Sequence, residues 1–403
     1  MANNTGFIVG PETVRMVELG HPWVIADRYT KRWPSGHAGD IVALIDESGR
    51  FVGTAVRDPG DRITARVLSR HPMKLDRGWL EKRVSQAVRL RESHLDLEGT
   101  NAFRLINGEG DFLPGLTVDR YKDHLMIQLY CGGWKPYLGL LSEVLQKFCR
   151  PRGIYEKPRP QDTRSLAASR DDKKMSRLLW GEPVSGKLAV LENGVNFLVN
   201  LGEGLNTGLF LDQRENRADL MRRVKGTRVL NLFAYTGAFS VAAAVADAAK
   251  VTSVDVSEPY LDWARDNFGI NRLNAKRHEF IAGDCYDVLQ DLHRQGCCYD
   301  VIVMDPPSFS TTSKSRFTTR KGTSDLVALA SRLLVDGGLL ITSSNLQKMD
   351  VADYLKELRR GALQGGCELR VIQLTDQSAD FPYPVTFPEG RYLKYVISVK
   401  HEA

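Results

Sequence analysis

Cysteines are few in this sequence, and their spacing matches neither a metal site nor a disulfide framework. No Cys-x-x-Cys pair occurs among the 403 residues, and no paired histidines lie near a cysteine. Structural zinc sites and small disulfide-rich scaffolds depend on such spacings. We therefore expect no bound metal, and free thiols that fit a reducing cytoplasm. The six cysteines are Cys131, Cys149, Cys285, Cys297, Cys298 and Cys367.

Long apolar runs are absent as well. No apolar stretch reaches the roughly 18 residues that a membrane-spanning helix needs, and the opening MANNTGFIVG lacks a basic region followed by an apolar core. These absences argue against secretion and against a membrane span, so a cytoplasmic protein is expected. No internal repeat or low-complexity tract occurs either.

Charge is close to balanced, with a small positive excess. The chain is 42% hydrophobic and 26% charged, with a net charge of +6. This is the composition of an ordinary globular protein long enough for two or three domains. The excess favours a polyanionic partner such as nucleic acid, but a solvated basic surface explains it equally well.

Three regions differ in their patterns. Residues 1–74 hold short strand-like segments such as DIVALID and RFVGTAV between Gly, Pro and Asp turns, which predicts a small β domain. Residues 75–190 begin with a helical stripe at Leu80, Val84 and Leu95 and predict a central α+β domain. This region ends in a basic stretch, 150–177, with nine cations and four acids. A loop near RNA and a solvated linker both fit that stretch.

Residues 191–403 alternate apolar strands with amphipathic or Ala-rich helices, as in RVLNLFAYTGAFSVAAAVADAA and YDVIVMDPPSFS. This alternation is typical of a doubly wound parallel sheet with helices on both faces. Two late segments, ELRVIQLT and RYLKYVISV, predict an antiparallel pair at the end of the chain. The expected fold is therefore an α/β domain preceded by a β domain and an α+β domain.

Ligands of such folds bind beyond the carboxyl ends of the strands. The first strand-to-helix connection, Asn231 to Gly237, reads NLFAYTG and lacks a complete Gly-x-Gly-x-x-Gly turn, which weighs against a dinucleotide. Asp255 follows the second strand, eighteen residues beyond Gly237, where a carboxylate can accept hydrogen bonds from ribose hydroxyls. Asp284 follows the third strand and could accept from an adenine amino group. Helix capping is the alternative role for both carboxylates.

The fourth strand ends in Asp305-Pro306-Pro307 and is followed by Phe309. Two prolines fix φ and remove backbone donors, so the turn is rigid and its carbonyls lack internal partners. A carboxylate, exposed carbonyls and a ring suit a flat, hydrogen-bonding group such as a base. Core packing is the alternative role for Phe309.

These strand ends resemble the binding motifs of class I S-adenosylmethionine-dependent methyltransferases. GHPWV and GRFVGTAVRDPGDRITARVLS look like the N-terminal PUA-type RNA-binding domain of bacterial 23S rRNA large-subunit methyltransferases, and RLINGEGDFLPGLTVDRY, TGLFLDQRENR and FPEGRYLKYV resemble their later motifs. The resemblance covers nearly the whole chain. It implies a Rossmann-like methyltransferase domain, S-adenosyl-L-methionine as cofactor, and 23S rRNA or a large-subunit precursor as partner. A homodimer is left open.

The resemblance also assigns site residues. Those expected at the cofactor are Asp212, Gln213, Arg214, Asn231, Phe233, Ala234, Tyr235, Thr236, Gly237, Asp255, Ser257, Asp284 and Asp305. Those expected at the base are Asp305, Pro306, Phe309 and Asn345. Those expected on RNA phosphates are Arg57, Arg62, Arg66, Lys314, Arg316, Arg320 and Lys321. A solvated loop is the alternative reading of the last four.

One departure from the family decides the chemistry that we expect. The cytosine-C5 members carry a nucleophilic cysteine after the fifth strand, whereas this sequence reads Thr342-Ser343-Ser344-Asn345 there. Cytosine C5 needs a thiolate to add to the ring, but guanine N7 already carries a lone pair. DPPSFS followed by SSN also resembles the guanine-N7 methylating domain of a fused bacterial 23S rRNA methyltransferase, and it resembles less closely the Asp-Pro-Pro-aromatic motif of exocyclic-amine methyltransferases. We therefore rank guanine N7 first, an exocyclic amine second and cytosine C5 third. A non-catalytic RNA-binding protein and a nicotinamide-dependent dehydrogenase remain as rival functions.

Overall fold

The structure, a computed structural model, describes residues 6–158, 176–307, 309–311 and 316–402. The side chains at 158, 309–311 and 316–321 are outside that description. The chain forms two compact units. The first comprises Met1–Leu188, Asn200–Thr207 and Ala379–Gly390, and the second comprises Ala189–Val199, Gly208–Ser378 and Arg391–Ala403. The three-domain division with boundaries near 74 and 190 remains a prediction.

The first unit contains two five-stranded sheets and three α-helices within the described residues. Its strands are β1 (Phe7–Ile8), β2 (Trp23–Ile25), β3 (Ile41–Ile45), β4 (Phe51–Arg57), β5 (Ile63–Ser69), β6 (Ala102–Asn107), β7 (Leu116–Tyr121), β8 (His124–Leu129), β9 (Gly153–Pro158) and β10 (Arg177–Gly181). Its helices are α1 (Pro11–Glu18), α2 (Arg77–His94) and α3 (Leu138–Cys149). The sheet orders are β1-β3-β4-β5-β2 and β10-β9-β8-β7-β6.

Helix α2 shows how sequence and packing agree in this unit. It begins where the Asp76 carboxylate accepts from the backbone N–H of Trp79 at 2.9 Å, which satisfies one of the unpaired N–H groups of the first turn. The stripe of Leu80, Val84 and Ala87 is buried and packs in a core shared with α3 and the second sheet. The predicted change from strands to helix after residue 74 therefore lies at α2.

The remaining elements belong to the second unit. Its strands are β11 (Leu188–Glu192), β12 (Val195–Val199), β13 (Arg228–Leu232), β14 (Lys250–Asp255), β15 (Glu279–Ala282), β16 (Tyr299–Met304), β17 (Phe309–Thr311), β18 (Arg316–Thr318), β19 (Leu334–Ser344), β20 (Cys367–Thr375) and β21 (Lys394–Glu402). Its helices are α4 (Arg214–Met221), α5 (Ala238–Val245), α6 (Glu258–Ile270), α7 (Cys285–Arg294), α8 (Thr319–Leu333) and α9 (Val351–Gln364).

The second unit is built on a seven-stranded sheet of order β15-β14-β13-β16-β19-β21-β20. The pairs from β15 to β19 are parallel, and β21 pairs antiparallel with both β19 and β20. Helices α4, α5 and α6 pack together, as do α7, α8 and α9, which covers both faces. Burial on both faces explains why Val301–Met304 is a continuous apolar run. The predicted doubly wound sheet and its antiparallel last pair are confirmed.

Candidate active site

The register of the sheet brings the predicted strand ends to one edge. Leu232 at the end of β13 pairs with Val254 on β14 and with Met304 on β16, and Met304 pairs with Thr342 on β19. The strand order reverses between β13 and β16, because β14 and β15 lie on one side and β19 on the other. This reversal is where open α/β sheets form a ligand-binding crevice. The residues that follow these strands therefore share one site.

The connection from β13 to α5 has an uncommon backbone. Phe233 and Tyr235 adopt left-handed φ angles of 58° and 51°, and Gly237 has φ of 77° at the N-cap of α5. A Cβ at Gly237 would lie 2.7 Å from Cβ of Ala264, so glycine permits both the turn and the close approach of α6. Non-glycine residues with positive φ are uncommon and concentrate at functional sites.

Two predicted cofactor residues in this connection have inward-facing side chains. Asn231 is buried and donates to the Ser240 hydroxyl at 2.9 Å, and Thr236 is buried and donates to the backbone carbonyl of Gly208. Ala234 is also buried. Their side chains hold the shape of the connection, so a cofactor would meet its backbone rather than these groups.

Asp255 has the geometry of a ribose acceptor. One carboxylate oxygen accepts from the backbone N–H of Tyr235 at 2.8 Å, and the other accepts from that of Ser257 at 3.0 Å. Burial raises the pKa of this carboxyl, and the backbone N–H donors of Ser257 and Tyr235 oppose the rise. A carboxylate has about four acceptor sites, so the oriented Asp255 keeps some acceptor capacity beyond its backbone donors.

Aromatic rings near Asp255 are a feature that the sequence reasoning missed. The Tyr235 ring lies 4.5 Å from that of Tyr260 and 5.4 Å from that of Phe210, measured between centroids. Phe210 and Tyr260 are each at least 40% exposed. Tyr260 could have been found as an aromatic residue in the first turn of the helix after Asp255. Exposed rings at this edge suit a flat apolar group.

Asp284 performs the capping role that the sequence left open. Its carboxylate accepts from the backbone N–H of Tyr286 at 2.9 Å at the start of α7. A carboxylate has further acceptor capacity, so its role at an adenine amino group stays a prediction.

Asp305 is held by side chains from two other elements. Nε2 of Gln213 lies 3.2 Å from Oδ2 of Asp305 and 2.9 Å from Oγ of Ser343, and Asn216 donates to Oε1 of Gln213 at 2.7 Å. Burial raises the pKa of Asp305 to about 6. The hydrogen bonds from Ser343 and Gln213 oppose this rise, and the nearby charge of Asp212 adds to it. A carboxyl poised near neutrality at a strand end is typical of an active site.

The predicted motif Asp212-Gln213-Arg214 therefore divides by role. The Gln213 side chain is hydrogen-bonded to Asp305, whereas Asp212 accepts from the Tyr392 hydroxyl at 2.7 Å. Arg214 is buried with its guanidinium 3.2 Å from Glu215. Contact of Asp212 and Arg214 with a cofactor stays a prediction.

A buried lysine on β21 lies beside the end of β19, and the sequence reasoning also missed it. Ser343 and Ser344 are buried, and Asn345 is exposed just beyond them. Lys394 on β21 pairs with Ser344 on β19. Its Nζ donates to the backbone carbonyl of Leu346 at 2.7 Å and to that of Tyr392 at 2.8 Å. Burial lowers the pKa of Lys394 to about 8. This amine holds the segment after β19 in place.

No cysteine among the described residues offers a reactive thiol at this edge. Cys285 begins α7 beside Asp284, but it is 3% exposed and burial raises the pKa of its thiol to about 12. Cys297 and Cys298 directly precede β16, and Cys367 begins β20, so all three lie at the amino ends of those strands, away from the carboxyl ends that form the site. A buried thiol with a raised pKa is inert as a nucleophile at neutral pH.

The predicted RNA-binding residues divide between exposed, buried and undescribed positions. Arg57 and Arg66 are 7% and 4% exposed, and the Arg57 guanidinium lies 5.3 Å from the Phe7 ring centroid. Both side chains are therefore largely buried, and their contact with RNA phosphates stays a prediction. Arg62 is exposed. Lys314 lies outside the described residues, as do the side chains of Phe309, Arg316, Arg320 and Lys321.

The backbone after Asp305 forms a small hairpin, in which β17 and β18 pair antiparallel before α8 begins at Thr319. Pro306 is buried and Pro307 is exposed. Within the described ranges, no cluster of three or more His, Cys, Asp or Glu side chains could hold a metal ion. The described helices are also too short or too polar to cross a membrane.

Comparison with known proteins gives consistent matches over most of the chain. A family model for S-adenosylmethionine-dependent methyltransferases matches residues 138–383, and a model for a PUA-like domain matches residues 7–70. The chain is 34% identical over 380 residues to ribosomal RNA large subunit methyltransferase I of Escherichia coli strain SMS-3-5, covering 93% of this chain and 94% of that protein. The enzyme of the same name from Shigella flexneri is 34% identical over 378 residues, with the same coverage.

Two solved structures share the architecture of nearly the whole chain. A methyltransferase complexed with SAH superposes with a TM-score of 0.87 at 28% identity. A SAM-dependent methyltransferase from Streptococcus mutans superposes with a TM-score of 0.85 at 27% identity. Each match covers 98% of this chain and 100% of the other.

Proposed function

Because the chain belongs to the S-adenosylmethionine-dependent methyltransferase family, we propose that it methylates a base of large-subunit ribosomal RNA directly, without a covalent bond between protein and base. Guanine N7 is the acceptor that we favour. The RNA class is supported by the similar proteins, which are named ribosomal RNA large subunit methyltransferases. The direct transfer is supported by the site itself.

The observation that carries direct transfer is the composition of the strand edge around Asp305. The side chains hydrogen-bonded around Asp305 are those of Gln213 and Ser343. Asn345 follows β19 and is exposed, and Cys285 at the start of α7 is buried with a strongly raised pKa. Methylation at cytosine C5 needs a thiolate that adds to the ring and activates it. A hydroxyl or amide does not ionise at neutral pH. The residues at this edge therefore favour an acceptor atom that already carries a lone pair.

S-adenosyl-L-methionine supplies, when bound, a methyl group activated by a sulfonium. The residues present fit such a cofactor, because Asp255 retains acceptor capacity for ribose hydroxyls and Gly237 allows close approach of backbone. The aromatic rings of Tyr235 and Tyr260 offer an apolar surface beside it. In an in-line displacement the protein contributes mainly alignment and exclusion of water.

Asp305 is the residue that we assign to the base edge. Above its pKa of about 6 it is an acceptor-only group. Guanine carries N–H donors at N1 and N2, whereas its N7 is an acceptor without a proton. An ionised Asp305 can therefore orient guanine through its donors while N7 receives the methyl group, with no base needed to remove a proton.

An exocyclic amine is the second candidate acceptor, and the pKa of Asp305 is the observation that favours it. A carboxyl with a pKa of about 6 is suited to accept a proton near neutral pH. Methyl transfer to an amine releases such a proton. The two acceptors therefore differ in whether Asp305 must act as a base.

Nucleoside mass spectrometry of 23S rRNA from a strain lacking the protein tests the proposal. We expect one 7-methylguanosine to disappear and to return when purified protein and S-adenosylmethionine are added to that rRNA. Loss of an N-methylated exocyclic amine would support the second candidate, and loss of 5-methylcytosine would overturn direct transfer. Calorimetry with S-adenosylmethionine separates the enzyme from a non-catalytic RNA-binding protein, which would not bind it. A stable adduct with 5-fluorocytosine-substituted rRNA would also contradict the proposal.

A further inference from the structure

The first unit contains a groove of about 250 Å³ that the methyl-transfer site does not use. Its walls come from the end of α1 and the loop after it, from β5, from α2, from the loop before β7 and from Pro384 and Thr386. We call it the Phe112 groove and define it by His21, Arg70, His71, Arg83, Glu109 and Phe112. We propose that this groove binds one unpaired nucleotide of the RNA substrate, distinct from the base that is methylated. This inference rests on RNA being the substrate, as proposed above.

Phe112 is presented to solvent by a strained and firmly anchored backbone. Phe112 is 54% exposed, and its φ of 59° is a left-handed value that bulky residues rarely adopt. The preceding residue, Asp111, forms a buried bidentate ion pair with Arg91 at 2.6 and 2.9 Å and accepts from the backbone N–H of Asn107 at 2.6 Å. These bonds hold the loop in one conformation. Backbone strain that is maintained by such contacts indicates a functional role.

One cation packs against this ring, and a second lines the same groove. The Arg83 guanidinium carbon lies 5.1 Å from the Phe112 ring centroid and 5.4 Å from that of Trp79, so its position is set by two rings. Arg70 is exposed at the same groove. Both guanidiniums can contact phosphate oxygens.

The acidic residue of the groove has its charge engaged elsewhere. The Glu109 carboxylate accepts from the Trp23 indole at 2.8 Å and lies 3.7 Å from the buried Arg66 guanidinium. The groove therefore has a net positive character despite this carboxylate. The same ion pair gives the buried Arg66 guanidinium an acidic partner within the first unit.

His21 adds a donor of defined orientation. Its Nδ1 accepts from the backbone N–H of Trp23 at 3.2 Å, so the neutral ring carries its proton on Nε2. The ring also packs edge-on against Trp23 and Phe387, with centroids 5.7 and 5.2 Å away. A fixed N–H donor beside an exposed ring and two arginines can bind the polar edge of a base.

This combination favours a nucleotide over an acidic peptide. An exposed ring flanked by cations is how proteins bind unstacked bases and their phosphates. An acidic peptide would need the cations but would leave the exposed Phe112 ring without a stacking partner. The volume is also below the roughly 300–1,000 Å³ of enclosed ligand pockets, which suits one nucleotide rather than a duplex segment.

The test measures binding of a short, fluorescently labelled single-stranded RNA to the full chain and four variants. We expect Phe112→Ala to weaken binding about tenfold, because one stacked base contributes roughly that factor, while Phe112→Tyr keeps the ring and the affinity. We expect Arg83→Gln to lower the slope of log affinity against log salt by about 0.7, as for one lost single-strand phosphate contact. Arg89→Gln, an exposed position of α2 that does not line the groove, should leave both quantities unchanged.

Failure of this inference differs from failure of the proposed function. Unchanged RNA affinity of Phe112→Ala would overturn the groove, even if the wild-type protein methylates large-subunit rRNA. Wild-type protein that binds RNA through Phe112 but transfers no methyl group to that rRNA would overturn the proposed function alone. Displacement of the RNA by polyglutamate, with no effect of Phe112→Ala, would show that the groove takes acidic peptides and would also refute the inference.

Discussion

Replacing Asp305 by asparagine should make the protein more stable at pH 8 and abolish its methyl transfer. The substitution keeps the shape of the side chain but removes its charge. Gln213 and Ser343 currently hydrogen-bond the carboxylate, and the amide oxygen of asparagine can keep part of this pairing. The ring hydroxyls of Tyr354 and Tyr395 are buried nearby, so little water reaches the site.

The magnitude follows from the pKa of Asp305. Burial raises that pKa from its ordinary value of 3.8 to about 6, and each pKa unit corresponds to about 1.36 kcal/mol, so ionisation costs the folded state about 3 kcal/mol. Because the folded pKa is raised, the stabilising effect of the neutral carboxyl is complete below pH 4. It is lost as the pH rises through about 6. The asparagine side chain has no such dependence.

The measured quantity is the difference in the free energy of unfolding between Asp305→Asn and wild type, from urea titrations between pH 4 and pH 8. We expect the difference to rise by about 3 kcal/mol over this range. Loss of one hydrogen bond, worth about 1 kcal/mol, should make the variant slightly less stable at pH 4 and about 2 kcal/mol more stable at pH 8. Comparison between the two proteins cancels the titration of all other groups.

The methyl-transfer activity of Asp305→Asn should fall, although its stability at pH 8 rises. An asparagine presents an N–H₂ donor where the base needs an acceptor, so we expect methyl transfer to fall by about 100-fold or more, as when a transition-state contact is removed. Wild-type activity should fall as the pH drops below about 6. Asp262→Asn, the same change at an exposed carboxylate of α6, is the control and should retain activity. A stability difference that is flat with pH, or an active Asp305→Asn protein, would refute the reasoning.

Four further predictions concern neighbouring residues. Asp255→Asn should weaken S-adenosylmethionine binding about tenfold or more by calorimetry, because a charged hydrogen-bond acceptor is lost; unchanged affinity would remove Asp255 from the cofactor site. Gln213→Glu places a second carboxylate beside Asp305 and should move the acid limb of the pH–rate profile upward, whereas a downward shift would contradict this. Lys394→Met removes two hydrogen bonds to the segment after β19 and should lower kcat while leaving cofactor affinity intact. Cys285→Ala should keep full activity, and an inactive but folded variant would reinstate a thiol mechanism.

The fold was predictable because its signals are local in the sequence. Alternating apolar strands and amphipathic helices predict the parallel sheet, and the late segments around Leu369 and Val396 predict the antiparallel pair that β20 and β21 form. The strand-end positions of Asp255 and Asp305 were predictable for the same reason. In a parallel sheet the residue after each strand lies at one edge, whatever the loops contain.

Contacts between distant segments were not predictable in this way. Gln213 meets Ser343 and Asp305 from positions far apart in sequence, and nothing in the pattern around Gln213 specifies either partner. Lys394 is one cation in an apolar strand, and only its two carbonyl partners show what it holds. Arg57 and Arg66 were assigned to RNA from charge, which carries no information about burial.

The sequence alone therefore determined the order of the elements, the edge of the sheet at which the chemistry lies, and the lack of a cysteine after β19. Those properties follow from periodicity and residue type along the chain. Only the tertiary structure decided that Asp305 has a raised pKa, that Cys285 is inert, and that Phe112 forms an exposed ring beside two arginines. Burial and charge proximity depend on segments that meet in space, and neither can be read from one segment by itself.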